Sequence, residues 1–506
     1  MKFSLNNPKT LKKTDLSVVL VNKKALKSKK HEFDIYDNAE TINKWCSSNL
    51  FEHAKRESFL ADLNQTFVSN IFNEETNTSI ALIGLGDAYK QSVDHFRQAG
   101  AHAYKLANKK QIKSLQILLP KNTEVPLFDA IQAITEGIIL ASYTFKKYHS
   151  KDMDKHTIHV ETVDLIIHET PTDALKKALI SGQNIASSVI LARDLINEPP
   201  IFANPVQLAK EAQKVAKETG LSIEILDEKA LQKEKMNLML AVASAASEFA
   251  PPRLIKLIYK PKKASKKTVV LIGKGVTFDS GGLDIKPADG MLDMKVDMSG
   301  SAAVLGVMKT IASLNLNFNI IGYMVCVENG VDAKAYHPGD IFIARNGLSI
   351  EISNTDAEGR LILADAITYA IDNDKPDVII DIATLTGACM VALGTKCAGL
   401  FSNDDELANS LLSLDKKTGE QFWRLPLNQD LLEGLKTPNA DFKNCGDRWG
   451  GSITAALFLQ QFITNDTKWA HLDIAGPATN SKAHPYLGTG GTGFAIRTLV
   501  EYLLSM

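Results

Sequence analysis

Asn354-Thr355-Asp356-Ala357-Glu358-Gly359-Arg360-Leu361 sets two carboxylates and a guanidinium two residues apart, between an apolar strand-like run and a periodic run that reads as an amphipathic helix. That octapeptide decides the reading. Upstream, Lys274, Asp279, Lys286 and Asp297 lie among glycine-rich turns, so one half of the chain offers four carboxylates and three cations. Carboxylates are hard ligands for divalent cations, and two ions about 3.5 to 4 Å apart can share a water, lower its pKa and polarise a carbonyl or phosphoryl oxygen. Asp279, Asp297, Asp356 and Glu358 match two dications in charge, provided all four converge.

Outward from the octapeptide, apolar β-branched runs at 254–259, 269–272, 319–327, 341–344, 378–383 and 471–474 read as strands. Helical periodicity separates them at 302–314, 361–371, 454–462 and 494–504. Strands interleaved with helices imply an α/β domain with a central mixed, mostly parallel sheet flanked by helices, and ligands of such sheets gather at the carboxyl ends of the strands. Asn346-Gly347 is a two-residue hairpin signal, so 341–353 is expected to form an antiparallel ribbon that ends at the octapeptide. Lys274 is expected just beyond the strand 269–272.

The first part of the chain alternates short strand-like runs, at 16–21, 79–85, 115–119 and 163–168, with polar or helical stretches. It reads as a small α/β domain. His31, His53, His95 and His102 are scattered, and the lysine-rich stretches 23–30 and 105–113 read as solvated faces. A helical stretch over 172–197 connects the two parts and stops at Glu198-Pro199-Pro200, where the first proline bars its predecessor from helical geometry. The expected organisation is a domain over 1–175 followed by a larger one over 176–506.

At 506 residues the chain exceeds one ordinary core, and a hydrophobic content of 45% marks it as globular. With 57 basic against 58 acidic residues there is no global field to recruit nucleic acid or an anionic membrane, so neither is an expected partner. The N-terminus lacks the apolar core of a secretory signal, and no stretch approaches the roughly 18 apolar residues of a membrane span. Cys46, Cys326, Cys389, Cys397 and Cys445 are widely spaced without a CxxC pair, as in a reduced intracellular protein. A cytoplasmic location is the expectation.

After residue 168 the histidines are His337, His471 and His484, and no HExxH occurs, which excludes a zincin-type helix. Asp279-Ser280-Gly281-Gly282 lacks the GxSxG elbow of a serine hydrolase. A lysine in a metal cluster either surrenders its proton and ligates as a neutral amine or stays charged and stabilises a developing anion. The residues alone leave open which of Lys274 and Lys286 does which. Arg360, at the start of the expected helix, offers a planar fork to a small oxyanion. Taken singly, each aspartate has a reading as a turn or cap residue and Arg360 as a salt bridge. Seven such groups together argue for a site.

The residues resemble the leucyl aminopeptidase (cytosol aminopeptidase) family of di-metal exopeptidases. The matching text is Gly273-Lys274-Gly275-Val276-Thr277-Phe278-Asp279-Ser280-Gly281-Gly282, Ile285-Lys286, Met294-Lys295-Val296-Asp297-Met298, and the octapeptide continuing into Ala364-Asp365-Ala366. Further similarity lies at 381–387, 444–457 and 471–476, so the resemblance spans most of 190–506. It implies that Lys274, Asp279, Asp297, Asp356 and Glu358 hold two divalent metal ions, zinc or manganese, with Asp279 and Glu358 bridging. Lys286 would then polarise the carbonyl, and Arg360 would hold a bicarbonate ion that acts as general base. Met294, Thr384, Leu385 and Gly387 fall where the family lines its substrate site.

The resemblance also implies cleavage of N-terminal leucine and similar residues from peptide substrates, a homohexamer, and an oligomerisation or access role for the first domain. Asp297-Met298-Ser299-Gly300-Ser301-Ala302 carries serines where many members place glycine and alanine, which is expected to alter packing at the start of that helix. The tail 477–490 does not match the family closely. Two other readings remain: carboxylate clusters also serve two-metal phosphoesterases, and some family members double as DNA-binding or scaffold proteins, although near-zero net charge argues against the latter.

Overall fold

A computed structural model describes residues 1–7, 14–23, 33–34, 50–73, 76–121, 123–150, 159–263, 265–482 and 484–506. His31, Cys46 and the lysines within 24–30 lie outside the described residues. The chain divides into two compact units, one made of Met1–Ser187, Lys416–Gly419 and Ala483–Gly488, the other of Ser188–Asp415, Glu420–Lys482 and Thr489–Met506. The helix Asp173–Asn197 carries the chain from one to the other and ends just before the two prolines, as the proline rule requires.

The first unit is built on a sheet ordered Lys2–Asn6, Thr162–Ile166, Ser114–Leu118, Leu16–Lys23, Thr76–Asp87, Thr66–Asn73, parallel along this path except for its last pair, with Phe33–Asp34 pairing antiparallel to Leu16–Lys23 off the path. Helices Val93–Lys109 and Leu127–Ser142 bury their apolar faces in the core with Leu16, Val18, Leu115 and Ile117 of the strands. Lys105, Lys109 and Lys113 are exposed, in keeping with a solvated face. The tail segment around Tyr486 belongs to this unit: its hydroxyl donates to Asp94 Oδ1 at 2.8 Å.

The second unit holds an eight-stranded sheet ordered Gln421–Arg424, Cys397–Ser402, Lys468–Asp473, Val378–Ala383, Thr268–Asp279, Asn319–Asn329, Arg253–Tyr259, Ser222–Leu226. Its four central strands, from Lys468–Asp473 to Asn319–Asn329, are mutually parallel, and the antiparallel pairs lie outside them. The expected mixed, mostly parallel sheet is therefore present. Along Thr268–Asp279 the pleat sends Gly273 and Gly275 toward helix Ser299–Ile311, while Val270, Ile272 and Val276 share a core with Leu361, Ile362 and Ile367 of helix Glu358–Asp374. Helices thus cover both faces. Each fully buried Leu or Ile of that helix contributes about 1.5–3 kcal/mol relative to exposure.

Three expectations need correction. Lys274 is inside its strand rather than beyond it, because pairing with Asn319–Asn329 continues through Val276 and resumes at Asp279, past two glycines that break the apolar pattern. The helix Glu358–Asp374 is not amphipathic: every residue over 358–370 is buried, and its polar side chains are used inside the fold. Asp365, for one, accepts the amides of Leu238 at 2.8 Å, Met239 at 3.1 Å and Arg345 at 3.0 Å. The ribbon of Ile341–Ile343 and Ser349–Glu351 forms, but with three residues in its loop, since Ala344 N donates to Leu348 O at 2.8 Å and Gly347 takes φ +94°.

Candidate active site

The four central strands end on Asp279, Asn329, Ala383 and Asp473, and the reactive groups collect at these carboxyl ends. A register shift between Val276 and Asp279 marks a bulge, after which Asp279 sits beside Asn329. The buried Asn329 amide donates to Asp279 Oδ1 at 2.8 Å and to Thr355 O at 3.1 Å, tying the strand end to the octapeptide. Thr355 returns the tie: its hydroxyl donates to Gly281 O at 2.6 Å and its amide to Asp284 Oδ2 at 2.7 Å.

Asn444 clamps the octapeptide from the other side. Its Oδ1 accepts the amides of Ser353 at 2.8 Å and Asn354 at 3.2 Å, its Nδ2 donates to Asn354 O at 2.7 Å, and its carbonyl accepts Arg360 Nη1 at 3.0 Å. Helix Glu358–Asp374 starts on the first of the paired charges, so Glu358 and Arg360 both lie in its opening turn.

Lys274 Nζ lies 2.8 Å from Asp297 Oδ2 and 2.8 Å from Glu358 Oε1, and donates to Thr384 O at 2.9 Å. Lys286 Nζ lies 2.8 Å from Asp279 Oδ2 and also contacts Asp356. One oxygen each from Asp279, Asp356 and Glu358 fall within 4.8 Å of one another. Asp297 enters through Lys274 and through its Oδ1, which accepts the Thr384 hydroxyl at 2.6 Å. Both lysines and all four carboxylates thus stand in one connected cluster, and Arg360, held by Asn444, lies close enough to feel the Glu358 and Asp356 charges.

Burial opposes the Lys274 ammonium, but Asp297, then Glu358 and Asp279, more than offset it, and its pKa lies above the ordinary lysine value. Lys286 is raised in the same way, burial being outweighed by Asp279 and Glu358. Burial, with the Glu358 and Asp279 charges, pushes Asp297 well above the usual carboxylate range despite Lys274. Asp356 is pushed up to about 6 by burial and by Asp279 and Glu358. For Arg360 burial lowers the pKa, partly countered by Cys445 and Glu358.

The donor set fits divalent metal. Asp297 Oδ2, Asp356 Oδ1 and Glu358 Oε1 are buried and lie at ion-pair distance from the lysines, yet none receives a hydrogen bond of acceptable angle. Hard oxygens gathered around two ammonium groups in this way suit divalent cations equally well. Arg360 Nε is likewise buried without an acceptor, while Nη1 is spent on Asn444, so one edge of the guanidinium is free for an anion.

Of the expected substrate residues, Thr384 is joined to the cluster by its carbonyl and hydroxyl, and Leu385 follows it. Met294 opens the 3₁₀ turn Met294–Met298 that ends beside Asp297, and Gly387 starts the helix Gly387–Leu393 with open space around its α-carbon. The two serines of the departing segment are absorbed into packing: Ser299 Oγ donates to Val296 O, and Ser301 Oγ to Gly273 O at 2.8 Å, next to Lys274. Reasoning from sequence assigned nothing to Asn329, Asn444 or Asp473. The last two fall in segments that resemble the family, but no spacing rule distinguishes them.

The catalytic-domain profile of the cytosol aminopeptidase family matches residues 190–500, and the profile of the same family's N-terminal domain matches 18–152. The probable cytosol aminopeptidase of Aquifex aeolicus is 43% identical over 428 residues, covering 84% of this chain and 85% of the relative. That of Persephonella marina is 41% identical over 469 residues, covering 92% and 93%. Among solved structures, a mutant of tomato leucine aminopeptidase superposes with a TM-score of 0.88 at 32% identity, covering 100% of this chain and 97% of that one. The bottromycin maturation enzyme BotP in complex with Mn gives 0.85 at 32% identity, covering 97% and 99%.

Proposed function

This chain belongs to the cytosol aminopeptidase family and is a metal-dependent aminopeptidase, and on that premise we propose how its residues divide the work. Lys274, Asp279, Asp297, Asp356 and Glu358 would hold two divalent ions. The ions, manganese or zinc, supply Lewis acidity to the first peptide carbonyl and lower the pKa of a water. The connected cluster around three mutually close carboxylates carries this reading, and the manganese of the BotP structure supports it.

Lys286 keeps its proton and donates it as a hydrogen bond to the oxygen that becomes anionic as the carbonyl is attacked. Its place beside Asp279 at 2.8 Å and Asp356 puts that charge at the edge of the carboxylate cluster. Lys274 would have the other role, holding a metal ion as a neutral amine once the dications displace the proton that Asp297 and Glu358 keep on it here, with the Thr384 carbonyl at 2.9 Å orienting it. Arg360 would hold a bicarbonate ion on its free edge, which supplies a general base within the site. Met294, Thr384, Leu385 and Gly387 line the space for the N-terminal residue, leucine and similar side chains.

The domain over 1–175 is proposed to serve oligomerisation or access, the assembly to be a homohexamer, and the location to be cytoplasmic. Family membership supports all three, and no helix among the described residues is long and apolar enough to cross a membrane. The division of roles is tested by hydrolysis of leucyl-p-nitroanilide with added manganese or zinc. Lys286→Ala should lose nearly all turnover while retaining bound metal, and Asp356→Ala should lose both. Lys286→Ala with near wild-type turnover would refute the role given to that lysine.

A further inference from the structure

We propose that Asp473 is a positioning residue for the Lys274 amine, acting through the single peptide plane that joins Thr384 to Leu385. Asp473 ends the strand Lys468–Asp473 and is fully buried. Its Oδ1 accepts the amides of Leu385 at 3.2 Å, Thr386 at 3.4 Å and Ala475 at 3.2 Å, and its Oδ2 accepts the Thr386 hydroxyl at 2.6 Å. One carboxylate therefore fixes the turn between strand Val378–Ala383 and helix Gly387–Leu393.

The amide hydrogen of Leu385 and the carbonyl of Thr384 belong to one planar trans peptide, so holding the N–H on one side aims the C=O on the other. That carbonyl accepts Lys274 Nζ at 2.9 Å. A neutral amine has one lone pair, and committing one of its N–H bonds to a fixed carbonyl limits rotation about the terminal C–N bond and thus where the lone pair points. Thr384 acts on a second group as well, since its hydroxyl donates to Asp297 Oδ1 at 2.6 Å. The Thr386 hydroxyl cannot turn elsewhere without cost: while its proton goes to Asp473, its oxygen caps the helix by accepting the Cys389 amide at 3.1 Å. Groups that orient a metal-binding side chain from behind in this way change metal affinity by about 10–100-fold when removed.

The inference rests on Lys274 being a metal-binding residue, and the test separates the two. Metal-stripped full-length protein is titrated with MnCl2 by calorimetry, with electron paramagnetic resonance reporting whether manganese ions are spin-coupled or isolated. Asp473→Asn should weaken one manganese site by about 10–100-fold, keep the other within about twofold, and replace the coupled signal with an isolated one at low loading. Thr386→Val, which leaves the carboxylate but removes its shortest contact, should weaken the same site by a smaller factor and covers the case in which Asp473→Asn fails to fold. Unchanged isotherms in folded variants, or equal weakening of both sites with a falling melting temperature, overturn the role of Asp473. Lys274→Ala is the control: if it too binds two ions as the wild type does, the assignment of Lys274 falls. If it loses one site while Asp473→Asn keeps both, only the inference falls.

Discussion

The Lys274 side chain lies across the bare α-carbon of Gly359: a methyl group there would meet Lys274 Cε at 2.7 Å and its Cδ and Nζ at 2.8 Å. The glycine of the octapeptide is thus the floor on which the strand's lysine reaches Glu358. The atoms it would strike are the far end of a flexible chain, so the backbone need not move. It is the amine that must. Gly359→Ala is expected to fold with little loss of stability and to lose on the order of 10²-fold in turnover, the cost of a misplaced reactive group. Thermal unfolding together with kcat on leucyl-p-nitroanilide checks this, and near wild-type kcat would contradict it.

Gly300 gives the opposite outcome. A methyl there would meet Ile382 O at 2.0 Å and Lys274 N at 2.8 Å, backbone atoms of two neighbouring strands, at the start of helix Ser299–Ile311. Nothing flexible can give way, so the helix must lift off the sheet. Gly300→Ala is expected to destabilise by about 1–3 kcal/mol or more, as overpacking does, and to lower soluble yield. Denaturant unfolding of the recovered protein measures it; wild-type stability would show that the helix start can shift freely.

His471 and Asp381 set a pH dependence. Their Nδ1 and Oδ1 atoms are 2.5 Å apart and both side chains are fully buried, with the Trp469 indole donating to the other Asp381 oxygen at 2.7 Å. Burial opposes the imidazolium, yet Asp381 and then Asp473 hold its pKa above the ordinary 6.5. The native state keeps a proton that the unfolded chain releases, so this stabilisation is complete below pH 6.5 and is lost as pH rises through the folded-state value. Wild-type stability should fall as pH rises above 6.5 and through the folded-state value, and Asp381→Asn should start lower with a flatter slope. Parallel slopes would contradict the pairing.

In the first unit, Arg97 is the buried charge to test. Its Nε lies 2.8 Å from Glu136 Oε2, its Nη1 2.7 Å from Asp94 Oδ1, and its Nη2 donates to Lys417 O at 3.1 Å. Arg97→Ala removes one side of a buried ion pair and should cost about 3–5 kcal/mol, whereas Arg97→Met with Glu136→Met should recover much of that. Urea unfolding of the two variants decides it, and equal losses would mean that packing rather than charge dominates.

The octapeptide was legible because its charges are dense, two residues apart and set at a strand exit, so Asp356, Glu358 and Arg360 could be read together. Lys274, Asp279, Lys286 and Asp297 could be read with them because they lie among glycine-rich turns after an apolar strand, and the structure does bring them beside Asp356 and Glu358. What the sequence hid was how the elements frame them. Gly273 and Gly275 break the apolar pattern that marks a strand, yet they belong to it because a helix packs close against them. The helix after the octapeptide looked amphipathic because its polar residues recur, but Asp365 and Arg360 spend those polar groups inside the fold. Asn329 and Asn444 sit far from the octapeptide in sequence and reach it only through strand pairing and a distant loop, and Asp473 reaches the turn after Thr384 from the end of another strand. No local pattern records that.

Anomalous diffraction at the manganese edge, on crystals of the full chain grown with manganese, tests the di-metal reading most directly. Two peaks should appear at the carboxyl ends of the central strands, both touching Asp279 and Glu358, with Lys274 and Asp297 on one or both and Asp356 completing the set. A single peak, or two peaks with Lys274 bound to neither, would contradict it.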